Sequence, residues 1–302
     1  MNWFFCERHD RPTNWGHMFR IEREADGARF PLARVVMNRM LNLIDSNTMD
    51  VVFSAEDLFF LDDAEIAYFC DAMRSRFSDI IVLAYVRRQD LMTLSQWAQG
   101  GKTVQCALIF GGLKGPLENI NPYMLKYLDY AGRLEVWKAA LPNCDMRIRI
   151  YDRDLFPNRD VICDFIDASG LDLKPDGYEG DVNSTMGAKT VRFVYLLRAA
   201  GILQGPIKNA LNNGRIPVTS DRVMPSAAEA RDFVSMFAES NKRLAQMMGK
   251  QSVFSDDFSS YPDTAVMPPL DPNYVQEALL SLLVDALGKI DPRDVLTSAQ
   301  QH

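Results

Sequence analysis

An α/β fold is predicted: a parallel sheet flanked by helices, followed by a helical C-terminal part. Three observations predict it. Residues 80–86, IIVLAYV, are a short apolar run without polar alternation, the pattern of a strand buried on both faces. Residues 146–151, MRIRIY, alternate strictly, with Met146, Ile148 and Ile150 on one face and Arg147, Arg149 and Tyr151 on the other. Helix-like segments joined by short links surround both runs, an order that suits parallel strands with crossover helices.

The elements follow in order. Residues 1–30 are irregular, and WFFC (3–6) is the one candidate there for a first strand. Residues 31–45 place Leu32, Val35, Val36, Met40, Leu43 and Ile44 on one helical face, with Pro31 at the start. Val51-Val52-Phe53 read as a second buried strand ending at Ser54-Ala55-Glu56-Asp57. Residues 62–77 read as an amphipathic helix with acid in its first turn and arginine in its last, matching the macrodipole. A helix over 90–99 follows the 80–86 strand. The segments GGKTVQ and GGLKGPLENINP are glycine-rich, and neither has phosphate-loop spacing. Residues 123–141 read as one long helix. The stretch 152–173 reads as turn, helix and a glycine stop at Gly170.

The C-terminal third reads as helical at 189–201 and 226–248, with a proline- and aspartate-rich connector at 249–272. The last amphipathic helix, 273–289, carries Val275, Leu279, Leu282, Leu283 and Leu287 near one face. It suits core packing or a subunit contact in a homo-oligomer, because its polar face is not basic enough for a membrane surface. The expected organisation is an α/β core over 1–185 and a helical extension over 186–302 packed on it.

Composition narrows the function classes. A net charge of −7 implies no general polyanion-binding surface, so nucleic acid is not an expected partner and any anion site must be a local cluster. Five scattered cysteines without a CxxC pair argue against a zinc site or a disulfide framework, and fit a reducing cytoplasm. No run approaches the roughly 18 apolar residues of a transmembrane helix. Only His9, His17 and His302 exist, so carboxylates are the expected agents of proton transfer and no metal is expected.

The chemistry concentrates at residues 80–95. The apolar strand ends in Arg87-Arg88, and ligands of open α/β sheets bind outside the carboxyl ends of strands. An arginine there can grip a phosphate through paired charge-assisted hydrogen bonds, and Ser95 stands eight residues on. The alternative is that both arginines cap the strand and face water, or that Arg88 pairs with Asp90. Arg147 and Arg149 form a second basic pair, open to an anionic acceptor or to ion pairs with the acids around 152–164. Tyr123, Tyr127, Tyr130 and Trp137 have helical spacing, which suits packing more than a sugar platform.

Together VRRQDLMTLS, IRIYDRDLFPNRDVICDFIDASGL and VVFSAEDL resemble the P-loop sulfotransferase superfamily, particularly bacterial members of surface-carbohydrate synthesis. The resemblance covers roughly 50–173. It implies a P-loop NTPase-like fold and sulfate transfer from 3′-phosphoadenosine 5′-phosphosulfate (PAPS) to a carbohydrate or lipid hydroxyl. It implies that Arg87 and Ser95 bind the donor's 3′-phosphate and that Glu56 is the catalytic base. The family's N-terminal strand and glycine-rich phosphate loop are missing or degenerate here: Gly16 and Gly27 are isolated, and no lysine precedes Lys102. That departure leaves a second reading, a non-catalytic relative that keeps the 3′-phosphate site as a binding or scaffold module.

Overall fold

Short-range chemistry sets the helices, and two strands set the sheet. The structure, a computed structural model, describes residues 51–54, 58–59, 61–102, 104–172, 186–202 and 204–287. The chain clusters into two compact units that interleave along the sequence. The first comprises Met1–Val86, Asp129–Arg149 and Phe156–Asp172; the second comprises Arg87–Leu128, Ile150–Leu155 and Leu173–His302. Residues 87–128 therefore group with the C-terminal helices rather than with the strand that precedes them.

In the first unit, helix α1 (Asp63–Arg74) opens on a capping box. The Asp62 carboxylate accepts from the Glu65 amide, and Glu65 accepts from the Asp62 amide. Strand β1 (Ile81–Val86) pairs in parallel with β2 (Asp145–Ile150), and the Asp145 amide donates to the Ile80 carbonyl at 2.9 Å where both strands begin. Ile66, Phe69, Cys70 and Met73 of α1 close on Trp137 and Leu141, forming this unit's core.

The predicted strand at Val51–Phe53 is not formed; among the described residues the sheet has two strands. Val51 and Phe53 are apolar because they pack on the α1 core, and Phe53 meets Phe69 edge-on at 5.5 Å. Three apolar residues in a row carry the same signal whether they pair or merely fill space.

The predicted helix 123–141 is two helices, α4 (Pro122–Leu128) and α5 (Tyr130–Ala140), preceded in the chain by α2 (Gln89–Gln99) and α3 (Val104–Phe110). Asp129 makes the break: its carboxylate accepts from the Gly132 amide and caps α5. Arg133 of α5 is buried, donates to the Phe59 and Leu61 carbonyls, and lies 3.7 Å from Asp63. Burial pulls its pKa below the ordinary value, with the surrounding carboxylates opposing. Helix α6 (Val161–Ser169) ends on left-handed Gly170, φ 74°, the stop read from the sequence.

The second unit is helical. It holds α2, α3, α4, α7 (Ala188–Ala199), α8 (Gln204–Asn212), α9 (Ala227–Ser235), α10 (Ala238–Met247) and α11 (Pro272–Leu287). Phe193, Val194 and Leu197 of α7 pack with Ile207, Ala210, Ile216, Tyr274 and Ala278. The predicted 226–248 helix breaks at Met236-Phe237, and α3 and α8 lie in stretches without a sequence signal. Among the described residues no helix is long and apolar enough to cross a membrane.

Candidate functional site

The Arg87–Ser95 segment is organised by what its inner residues are bound to. Arg88 is buried and forms a two-pronged ion pair with Asp90, Nε to Oδ1 at 2.9 Å and Nη2 to Oδ2 at 3.0 Å. Its remaining Nη1 donates to the Ser255 and Asp257 carbonyls at 2.9 and 2.7 Å. The Phe258 ring lies under the same guanidinium, 4.1 Å from its centroid. Asp90, fully buried, also accepts from the Tyr261 hydroxyl at 2.6 Å. Burial works against the Arg88 charge, but the hydrogen bonds and charge of Asp90 outweigh it and hold the pKa above its ordinary value. Gln89 and Asn241 exchange side-chain amide bonds at 2.6 and 3.3 Å.

Three consecutive residues are thus committed to internal bonds, and the Arg88–Asp90 alternative is the one realised. Arg87 is left half-buried, with its guanidinium 5.9 Å from the centroid of the exposed Tyr151 ring. Ser95 sits seven residues past the cap, roughly 10 Å along the helix axis. Its hydroxyl is half-buried and has no hydrogen-bond partner among the described residues. Helix α2 begins without a side-chain cap, so its first amides are not satisfied by a capping side chain. Arg87, Ser95 and the α2 start share one segment of the second unit. Glu56 lies outside the described residues.

The second basic pair resolves into ion pairs. Arg147 donates to Asp145 at 2.5 and 2.8 Å and to the Ala168 carbonyl at 2.5 Å. Arg149 grips the fully buried Asp164 through two bonds, one at 3.1 Å through Nε. The Tyr85 hydroxyl donates to the same carboxylate at 2.7 Å. Burial alone would raise the Asp164 pKa; the bonds from Arg149 and Tyr85 overcome it and hold the carboxyl below its ordinary range. Burial and the Asp164 bond push the Tyr85 phenol up. This trio ties the carboxyl ends of β1 and β2 to α6.

Of the aromatic set, Tyr127, Tyr130 and Trp137 are buried packing residues, while Tyr123 is 75% exposed. Lys102 is half-buried. Among the described residues no group of three or more His, Cys, Asp or Glu side chains is placed to hold a metal ion. The Tyr151 contact with Arg87 was not legible in the sequence; an aromatic directly after a strand end was its only signal.

No family model matches this chain, and no solved structure matches it. It is similar to an uncharacterized protein of Archaeoglobus fulgidus, 35% identical over 124 residues, a match covering 41% of this chain and 31% of that relative. The matched stretch therefore spans about a third of the relative's length.

Proposed function

We propose that this chain is a sulfotransferase-like protein that binds the 3′-phosphate of a PAPS-type nucleotide through Arg87 and Ser95. One observation supports the reading most. Arg88, Gln89 and Asp90 are locked by internal bonds, so the backbone that carries Arg87 is held in place, and the Ser95 hydroxyl on the same helix has no hydrogen-bond partner among the described residues. Rigid support of that kind is what a phosphate contact needs, because an ordered arginine loses less entropy on binding. In the full reading the fold is P-loop NTPase-like and the protein is cytoplasmic. Glu56 takes the proton of a carbohydrate or lipid hydroxyl as it attacks sulfur, and no metal takes part.

The binding-only reading has its own support. Within residues 1–50 the sequence holds no glycine-rich loop with a lysine to stabilise the leaving phosphate. Calorimetry separates the layers. Adenosine 3′,5′-bisphosphate should bind the protein more tightly than adenosine 5′-monophosphate. Arg87→Ala should cost about 1.5–3 kcal/mol of that affinity, as for a charge-assisted hydrogen bond, and Lys102→Ala much less. Equal losses from both substitutions, or no preference for the 3′-phosphate, would refute the site.

A further inference from the structure

The second unit carries an apolar groove of about 280 Å³, lined by neither Arg87 nor Ser95. Its walls are Leu117 and Ile120 from the glycine-rich loop, Phe233 of α9 and Met236 at its C-terminal cap, and Met224 and Val266 from an isolated antiparallel bridge. Each wall is fixed by its own bonds. Met224 and Val266 exchange backbone hydrogen bonds at 2.9 and 2.7 Å. In the loop, the Gly115 amide donates to the Glu118 carboxylate at 2.9 Å. Helix α9 starts on a Ser226–Glu229 capping box. A groove held this way is largely preformed, which lowers the ordering cost of binding.

Its chemistry is one-sided. The side chains at its base are apolar, while three exposed carboxylates, Glu118, Glu229 and Asp232, stand on its rim with no lysine or arginine among the lining residues. None of the three is ion-paired among the described residues. Glu229 and Asp232 are three residues apart on α9 and share a face, so their fields add. Ile120, Met236 and Val266 are 45%, 46% and 49% exposed, so the groove is open along its length rather than enclosing. An open trough suits a chain segment better than a small molecule, which a pocket normally engulfs. Methionine side chains along it adapt to varied apolar shapes. An anionic ligand is repelled by the rim, and a neutral sugar would find few polar groups at the base.

We infer that this groove docks a peptide segment of a protein partner that carries apolar anchor side chains flanked by lysine or arginine. The anchors fill the base between α9 and the bridge, and the flanking cations meet Glu118, Glu229 and Asp232.

Fluorescence anisotropy on the full chain tests this. The probe is a fluorescein-labelled peptide with a Leu-Phe-Leu centre and two lysines on each side. Parallel peptides replace the lysines with glutamates or the anchors with serines. The lysine-flanked probe should bind, and both replacements should abolish binding. Glu118→Lys combined with Asp232→Lys should weaken it by about tenfold or more, with loss of its salt dependence. Met236→Glu should weaken it comparably. Asp79→Lys combined with Asp256→Lys changes the net charge equally at exposed sites outside the lining, and should leave affinity nearly unchanged. Equal weakening by this control pair would mean bulk charge attraction and would overturn the site. So would equal binding of the glutamate-flanked peptide. A dimer in sedimentation that Met236→Glu converts to monomer would overturn it as well, because a second copy would then be the occupant.

Discussion

Arg88 and Asp90 form a buried, doubly hydrogen-bonded ion pair across the first turn of α2, at 2.9 and 3.0 Å. The pair is closed on every side: Tyr261 donates to Asp90, two carbonyls accept from Arg88, and Phe258 lies under the guanidinium. Its geometry fits arginine alone, since a lysine cannot supply the parallel fork and the two carbonyl bonds together.

Breaking it from one side should therefore be costly. Arg88→Ala leaves Asp90 a buried charge met by the Tyr261 hydroxyl alone among the described residues, and Asp90→Ala strands the guanidinium. Each should destabilise the protein by about 3–5 kcal/mol. Arg88→Lys should recover only part of that. Urea denaturation followed by fluorescence checks the order. A loss under about 1 kcal/mol for Arg88→Ala would show that the pair behaves like an exposed one.

The Tyr85–Asp164–Arg149 trio sets an acid limit. The Asp164 pKa is depressed in the folded protein, so its contribution is fully present above the unfolded carboxylate value, about 3.9. It is lost as pH falls through the lower folded value. Wild-type stability should thus decline below about pH 4, and Asp164→Asn should be less stable at neutral pH yet decline less over that acid range. Thermal melts from pH 7 to pH 3 measure this. Parallel declines for the two proteins would mean that Asp164 carries no linked proton.

The strands were legible from an unbroken apolar run in β1 and strict alternation in β2, but β1 is not the strand buried on both faces that its run implies: Ile81 is exposed, Val82 to Tyr85 are half-buried and Val86 is buried. The same logic misled at Val51–Phe53, where apolar residues fill a core without pairing. The break at Asp129 had a visible signal, an aspartate able to cap, but the surrounding helical periodicity masked it. Around the candidate site, the Arg88–Asp90 option could be read from a spacing of two. Its remaining partners, Ser255, Asp257, Phe258 and Tyr261, lie in a connector without periodicity, more than 160 residues away. Hydrogen bonds of that kind leave no trace in a hydrophobic pattern. The Arg149–Asp164 pair falls within the ion-pair option read for the acids around 152–164, whereas the Tyr85 bond to the same carboxylate left no such signal.

Thr93 offers a test of the opposite sign. It is fully buried on α2, and its hydroxyl has no hydrogen-bond partner among the described residues. A buried unsatisfied hydroxyl costs about 1–3 kcal/mol. Thr93→Val keeps the shape and has nearly the same helix propensity. It should raise stability by roughly 1 kcal/mol, seen as a higher urea midpoint at unchanged slope. A lower midpoint would mean that an ordered water satisfies the hydroxyl.

Binding and turnover should separate within the proposed sulfotransferase reading. Arg87 and Ser95 would hold the far end of the donor and touch neither the sulfur nor the bond that breaks. Ser95→Ala should then weaken adenosine 3′,5′-bisphosphate by about 1.5–3 kcal/mol, the value of a hydrogen bond to a charged group. It should affect turnover only through donor affinity. Glu56→Gln should do the reverse. Its carboxylate acts on the acceptor proton, so nucleotide affinity should stay nearly intact while sulfate transfer falls by about 10²–10⁴-fold. Without preorganised donors aimed at the leaving phosphate, the wild-type rate itself should be low, since one such donor is worth about 10²–10³ in rate. Calorimetry with the bisphosphate and transfer of radiolabelled sulfate from PAPS supply the two readouts. A Glu56→Gln variant that loses nucleotide affinity as Ser95→Ala does would place Glu56 with the donor and end its assignment as the base.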